Sequence, residues 1–344
     1  MENKENEILK RALAQFENLT GHAIKVKTEY RTAKLKYPAT VIEIPDLKLT
    51  LYAEVKPNIT NQNLGVVAYQ VKEIIDEKNI ILILVAHYIT PQIADKLKAM
   101  NIQFLDTAGN AYINVPKILL YIKGNKVLEN IDREKPVRAF QPAGLQLIYA
   151  LLCLPGLENR PYRTMANAAD IALGAVTWVI KDLIKLGYLI DMGNRGRRLN
   201  KKNELLLRWV NLYAELLRPR LVIGRYRTEK KDWWEYENIP NLKGQYGGET
   251  AAAIITKYLK PENHIIYTEE NNGKLLHQLR LKIDPKGNIE LLRKFWNFND
   301  DWNKRDLVNP ILIYADLLAT GDERNLETAK MIYDKEIVRY IGED

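Results

Sequence analysis

Three arginines within four residues, Arg195, Arg197 and Arg198, surround Gly196, and Lys201 and Lys202 follow. Across residues 191–202 five cations meet a single carboxylate, Asp191. A guanidinium offers two parallel donors that match phosphate oxygens, and flanking glycines let such a loop approach a polyanion closely. A different chemistry is available at Glu54-Val55-Lys56, at the end of a predicted strand. A carboxylate there can share a divalent metal with a second acid. The metal would polarise a phosphate and activate water, and the ammonium would steady the developing charge.

The elements that position the arginines read, over residues 142–202, as a winged helix-turn-helix. An apolar helix (Leu145, Leu147, Ile148, Leu151, Leu152) ends at Leu154-Pro155-Gly156, and Pro161-Tyr162-Arg163-Thr164 opens a short alanine-rich helix through Asp170. The next helix sets Val176, Val179, Ile180, Leu183 and Ile184 on one face and stops at Gly187. A strand over 188–190 and the turn 193–198 would form the wing. That register turns Ala175, Thr177, Trp178, Lys181 and Asp182 away from the core, where a duplex major groove would lie. Arg195, Arg197 and Arg198 are then expected on phosphates, Thr177 and Lys181 in the groove, and Arg163 and Thr164 on the backbone. Trp178 stands where Arg, Ser or Asn more often reads bases; it serves either DNA or packing against a neighbouring domain. Ala172 brings no hydroxyl to cap the recognition helix. A winged helix that binds protein is the alternative.

The acid pair needs a different frame. Residues 5–19 are periodic and helical, 23–30, 37–44 and 49–56 alternate as strands around the turn Pro45-Asp46, and 64–77 is helical before the apolar strand 80–86. A helix opened by Thr90-Pro91 and strands over 102–105, 111–115 and 118–122 complete a mostly covered α/β sheet. In this context Glu54-Val55-Lys56 resembles the E-x-K half of the PD-(D/E)xK nuclease signature, with Gln70 as a further polar residue on the next helix. The first metal-binding acid of that signature falls at Ala39 in Tyr37-Pro38-Ala39-Thr40, fifteen residues upstream of Glu54. Alanine holds no metal, so a nuclease-like fold without activity is expected. Magnesium enters only if the chain is a metal-dependent nuclease whose winged helix delivers substrate, and Glu54 and Lys56 would then be catalytic.

Composition narrows the rest. The net charge of +8 suits a polyanionic partner without requiring one. One cysteine, Cys153, and four histidines, His22, His87, His264 and His277, at no metal-ligand spacing argue against disulfides, zinc or another cofactor. No signal peptide or membrane span is read, and a cytoplasmic protein is expected. Beyond the wing, helices are predicted over 203–217 (stopping at Arg218-Pro219), 250–259, 311–318 and 326–340, with strands over 221–226, 264–268 and 278–282. Glu249 in the first turn after Gly247-Gly248 would repel a phosphate, so close packing is the expected use of those glycines. The fold class is multidomain, α/β plus α+β: a restriction-endonuclease-like α/β domain (1–130), a winged helix-turn-helix (139–203) and a C-terminal α+β domain (204–344).

Several segments carry a family resemblance: Phe104-Leu105-Asp106-Thr107-Ala108-Gly109-Asn110-Ala111-Tyr112, the winged helix, Tyr246-Gly247-Gly248-Glu249-Thr250-Ala251-Ala252, Asn309-Pro310-Ile311-Leu312-Ile313-Tyr314-Ala315-Asp316-Leu317-Leu318 and Gly321-Asp322-Glu323-Arg324-Asn325-Leu326-Glu327. In that order they resemble the AbiEi antitoxins of type IV toxin-antitoxin systems. The resemblance implies an antitoxin domain joined to a winged-helix repressor on double-stranded operator DNA. It also implies a nucleotidyltransferase-type toxin as genetic partner, countered without a tight complex. A repressor of this kind commonly dimerises over two half-sites, although no coiled-coil repeat is present to mediate it. The central position of the winged helix and the nuclease-like leader depart from the simplest antitoxin layout. A third possibility, a protein-interaction scaffold, would be favoured by a Trp178 buried between domains.

Overall fold

A computed structural model describes residues 2–30, 39–78, 80–115, 118–126, 137–237, 239–269, 272–302 and 306–342. Tyr37 and Pro38 lie outside them. The chain divides into two compact units, Met1–Arg133 and Glu134–Asp344.

The first unit is built on a seven-stranded sheet whose spatial order follows the sequence. After α1 (Glu2–Thr20), β1 (Lys25–Tyr30), β2 (Ala39–Ile44) and β3 (Leu49–Val55) form an antiparallel meander. Helix α2 (Leu64–Lys78) carries the chain to β4 (Leu82–Ala86), parallel to β3, and α3 (Pro91–Ala99) carries it to β5 (Phe104–Asp106), parallel to β4. β6 (Ala111–Val115) and β7 (Ile118–Ile122) close the sheet antiparallel. Strand β4 is buried along its whole length because helices cover both faces. Ile83 and Val85 meet Ile8, Ala12 and Phe16 of α1, whereas Leu82, Leu84 and Ala86 meet Val67 and Val71 of α2 and Ile93 and Leu97 of α3. The two-residue period of a strand thus supplies two cores from one segment.

In the second unit α4 (Pro142–Cys153), α5 (Tyr162–Ala168) and α6 (Leu173–Lys185) precede an antiparallel hairpin of β8 (Leu189–Asp191) and β9 (Arg197–Leu199). Asp170 takes the left-handed conformation, φ 53°, at the tight turn between α5 and α6, one of the few non-glycine types that tolerate it. Helix α7 (Lys202–Leu212) passes through a π turn, Tyr213–Leu217, into α8 (Arg218–Leu221). The sequence predicts that this helix stops at Arg218-Pro219. Pro219 instead sits in the first turn after the wide π turn, where its missing N–H is not needed.

The remaining strands and helices are β10 (Val222–Arg227), α9 (Trp233–Tyr236), β11 (Gly244–Gly247), α10 (Gly248–Thr256), β12 (His264–Thr268), α11 (Gly273–Gln278), β13 (Lys282–Ile283), β14 (Ile289–Arg293), α12 (Pro310–Thr320), α13 (Glu323–Ile332) and, after a second π turn, α14 (Val338–Ile341). The sheet order is β11-β12-β14-β10-β13. Of the strand expected over 278–282, Gln278 ends α11, which Asn272 caps by accepting from the Leu275 N–H at 3.0 Å, Leu279 and Arg280 form a turn, and only Lys282 is extended, together with Ile283. Helix α12 is buried from Pro310 to Leu318 and forms the centre of this unit. No helix among the described residues is long and apolar enough to cross a membrane.

Candidate nucleic-acid interface

The hairpin loop presents its cations unequally. Arg195 and Arg198 are exposed, whereas Arg197 is half-buried. The Arg197 guanidinium carbon lies 5.1 Å from the Tyr162 ring centroid, and Nη1 donates to the Tyr162 hydroxyl at 3.3 Å. Asn159 holds the Arg197 main chain from the other side. Asp191, the one acid of the segment, accepts from the Gly193 N–H at 2.9 Å and so shapes the turn.

Helix α6 buries Val176, Val179, Ile180 and Leu183. Ile184 departs from the expected core face: it is 37% exposed. The hairpin stands off from α6 and leaves a groove of about 350 Å³ lined by Ile180, Ile184, Tyr162, Asn159 and Arg197. On the opposite flank Lys181 and Trp178 are exposed and Thr177 is half-buried; Arg163 and Thr164 are exposed at the start of α5. Asp182 does not open toward this face. Its Oδ2 accepts from the Ala139 N–H at 3.1 Å, tying the turn before α4 to α6. Trp178 is half exposed. The Arg138 guanidinium carbon lies 4.4 Å from its ring centroid and the Lys181 ammonium 5.5 Å. Sequence reasoning missed Arg138, Asn159 and Tyr162, since no periodic signal marks side chains that return from another segment.

This face rests on the C-terminal half of its unit. The Trp209 indole donates to the Leu145 carbonyl at 2.8 Å and stacks on Tyr149 and Tyr213. The Asn297 N–H donates to the Ala168 carbonyl at 2.9 Å and its side chain to Asp170 at 3.1 Å, bracing the turn before α6.

Beneath the stack, Asp316 of α12 is fully buried. It accepts from the hydroxyls of Tyr213 at 2.9 Å and Tyr267 at 2.8 Å and from Arg218 Nε at 3.1 Å. The two hydroxyls also lie 2.6 Å apart, so two phenolic protons serve three short oxygen contacts. Burial pushes the Asp316 carboxyl up against the pull of Arg218 and the hydroxyls. Arg218 also pairs with Glu290, 2.5 Å away.

The glycine pair has the packing role expected of it. A Cβ on Gly247 would lie 2.7 Å from the Tyr267 ring, and one on Gly248 2.7 Å from Ile265. Glu249 accepts from the Glu262 N–H and from Asn263, Arg324 and Asn325. Its carboxyl is drawn below its usual range by these donors, against the opposing effect of burial.

In the first unit, Glu54 and Lys56 form an ion pair of 2.9 Å. Strand register pairs Thr40 with Ala53, which sets Ala39 across from Glu54. Glu43 pairs with Lys27, and Asp46 lies 3.6 Å from His22 at the turn. Gln70 is buried in α2. These residues do not fit a divalent metal, and no three His, Cys, Asp or Glu side chains converge among the described residues. Asp106 has a structural role: its carboxyl accepts from the N–H groups of Ile89, Ala108 and Asn110 and from the Asn110 amide.

Compared with known families, residues 198–338 match the model of the family described as transcriptional regulator, AbiEi antitoxin, type IV TA system. The match contains Arg198, the Glu249 cluster and Asp316, and starts after α4, α5 and α6. No curated protein and no solved structure matches the chain.

Proposed function

We propose that the chain is a DNA-binding transcriptional regulator and the antitoxin of a type IV toxin-antitoxin system, with α4, α5, α6 and the β8–β9 hairpin as a winged helix on double-stranded operator DNA. One observation carries the reading: the stretch similar to AbiEi antitoxins shares a compact unit with a helical array whose hairpin exposes Arg195 and Arg198. Guanidinium groups there suit phosphates, and a major groove admits an α-helix such as α6 by its exposed flank. Arg163 and Thr164 meet the backbone, and Thr177, Trp178 and Lys181 face the groove. The genetic partner is a nucleotidyltransferase-type toxin, the site of action is the cytoplasm, and two copies bind a palindromic operator.

Two measurements test this. Growth arrest by the toxin encoded beside this chain should be relieved by co-expression. Duplex DNA from the shared promoter should bind the full chain and bind the variant with Arg195, Arg197 and Arg198 all changed to alanine at least tenfold more weakly. A chain that relieves no arrest and binds no promoter DNA is not this regulator.

The first unit fits a nuclease-like fold retained without its chemistry. Its meander, crossing helix and parallel strand support the likeness, and the alanine opposite Glu54 argues against cleavage. Magnesium- or manganese-dependent nicking that vanishes in Glu54→Ala would overturn that part alone.

A further inference from the structure

We propose that Arg138, outside every segment that pointed to DNA, is a base-reading residue of the interface, delivered to the major groove on Trp178 as a platform and selecting guanine. The inference rests on the winged-helix reading above.

The turn that carries Arg138 is fastened to α6 at two points one helical turn apart. Asp182 takes the Ala139 N–H at 3.1 Å, and the indole of Trp178, four residues earlier, lies 4.4 Å from the Arg138 guanidinium carbon. From behind, Gly144 lets α4 close onto the same turn, since a Cβ there would lie 2.3 Å from the Ala139 carbonyl oxygen and 2.5 Å from that of Arg138. The backbone is therefore fixed while the side chain stays exposed. Among the described residues no carboxylate pairs with Arg138.

This arrangement accounts for the tryptophan at the outward position of α6. A guanidinium held over an indole face can still offer donors to a base, because the cation–π contact uses the ring face and the hydrogen bonds use the in-plane N–H groups. A bidentate edge matches guanine O6 and N7, the commonest specific contact in the major groove. Lys181, on the same helix face, adds charge without that planar geometry.

The test takes the full chain and a randomised duplex pool, from which the preferred site is selected, and compares variants on selected and random duplexes at one fixed salt concentration. Arg138→Ala should bind the selected duplex roughly ten- to a hundredfold more weakly. Random-duplex affinity should fall less than about threefold, and reselection should lose a guanine preference at one position. Arg138→Lys keeps the charge and serves if the alanine variant does not fold; it should keep random-duplex affinity without restoring the guanine. Trp178→Leu should follow Arg138→Ala in direction. Equal losses on both duplexes would make Arg138 a phosphate contact and overturn the proposal, as would an unchanged guanine preference. A wild-type chain that binds no duplex removes the winged-helix reading as well, whereas selective wild-type binding with an indifferent Arg138→Ala removes only this inference.

Discussion

Asn159 and the main chain of Arg197 exchange two hydrogen bonds: Oδ1 accepts from the Arg197 N–H at 2.6 Å, and Nδ2 donates to the Arg197 carbonyl at 2.8 Å. The pairing joins the turn before α5 to the hairpin across 38 residues. Gly196 fits against the same side chain, since a Cβ there would lie 2.4 Å from Oδ1, and its φ of +82° disfavours any other residue. On the proposed reading, Asn159 acts on DNA only through the hairpin that it positions. Asn159→Ala should lower operator affinity about three- to tenfold while leaving the salt dependence intact, because every cation remains. A changed slope in a binding titration over salt would contradict a purely positioning role.

Asp316 supports a second prediction, which follows from the proton count in its ring of contacts. A neutral carboxyl is mimicked by an amide, with one acceptor and one donor end. Asp316→Asn should therefore cost less than about 1.5 kcal/mol, whereas Asp316→Leu leaves two hydroxyls and a guanidinium edge buried without an acceptor and should cost about 3–5 kcal/mol. Denaturant melts of the two variants decide it. Equal, large losses would mean that the carboxyl is ionised in the folded chain.

The parts of this fold that were legible in the sequence are local. Val176, Val179, Ile180 and Leu183 recur at helical spacing and are buried, and the helix ends at Gly187, whose φ is +76°. Asn309-Pro310 reads as a helix start and is one, with Asn309 Oδ1 accepting from the Ile311 N–H at 3.1 Å. What could not be read depends on contacts far apart in the chain. Strand β11 begins and ends with glycine and has little strand propensity, yet Gly244 pairs with Thr268, and the glycine is needed there because a Cβ would lie 2.5 Å from Ile239. Ile184 continues the apolar stripe of α6 but is exposed where the hairpin stands off. Arg138 meets Trp178 only once α4 has folded back, so no spacing rule places it at the interface.

His264 supplies a pH prediction. It is buried, lies 2.9 Å from the Thr250 hydroxyl, and burial lowers its pKa to about 4 against the opposing charge of Glu249. The folded chain therefore binds a proton less readily than the unfolded chain, whose histidine titrates near 6.5. The neutral imidazole costs the fold nothing above pH 6.5. Stability should fall as the pH drops from about 6.5 to about 4, by about 3 kcal/mol in all. In His264→Phe that decline should be absent from urea midpoints between pH 7 and 4.5, leaving only the contribution of other groups. An identical decline in both proteins would assign the sensitivity elsewhere.

The hairpin arginines should also divide in a salt titration. Arg195 and Arg198 are exposed and free to meet phosphates, and each phosphate neutralised contributes about −0.9 to the slope of log K against log salt. Changing both to alanine should flatten that slope by about 1.8. Arg197 spends part of its guanidinium on Tyr162, at 5.1 Å from the ring centroid and 3.3 Å from the hydroxyl. Its replacement should change affinity mainly by loosening the hairpin and should move the slope by less than about 0.5. Slopes from fluorescence anisotropy on one duplex, measured for the double variant and for Arg197→Ala, separate the two roles. If Arg197→Ala alone flattens the slope as much as the double variant does, the stack on Tyr162 opens on binding and all three arginines act on phosphates alike.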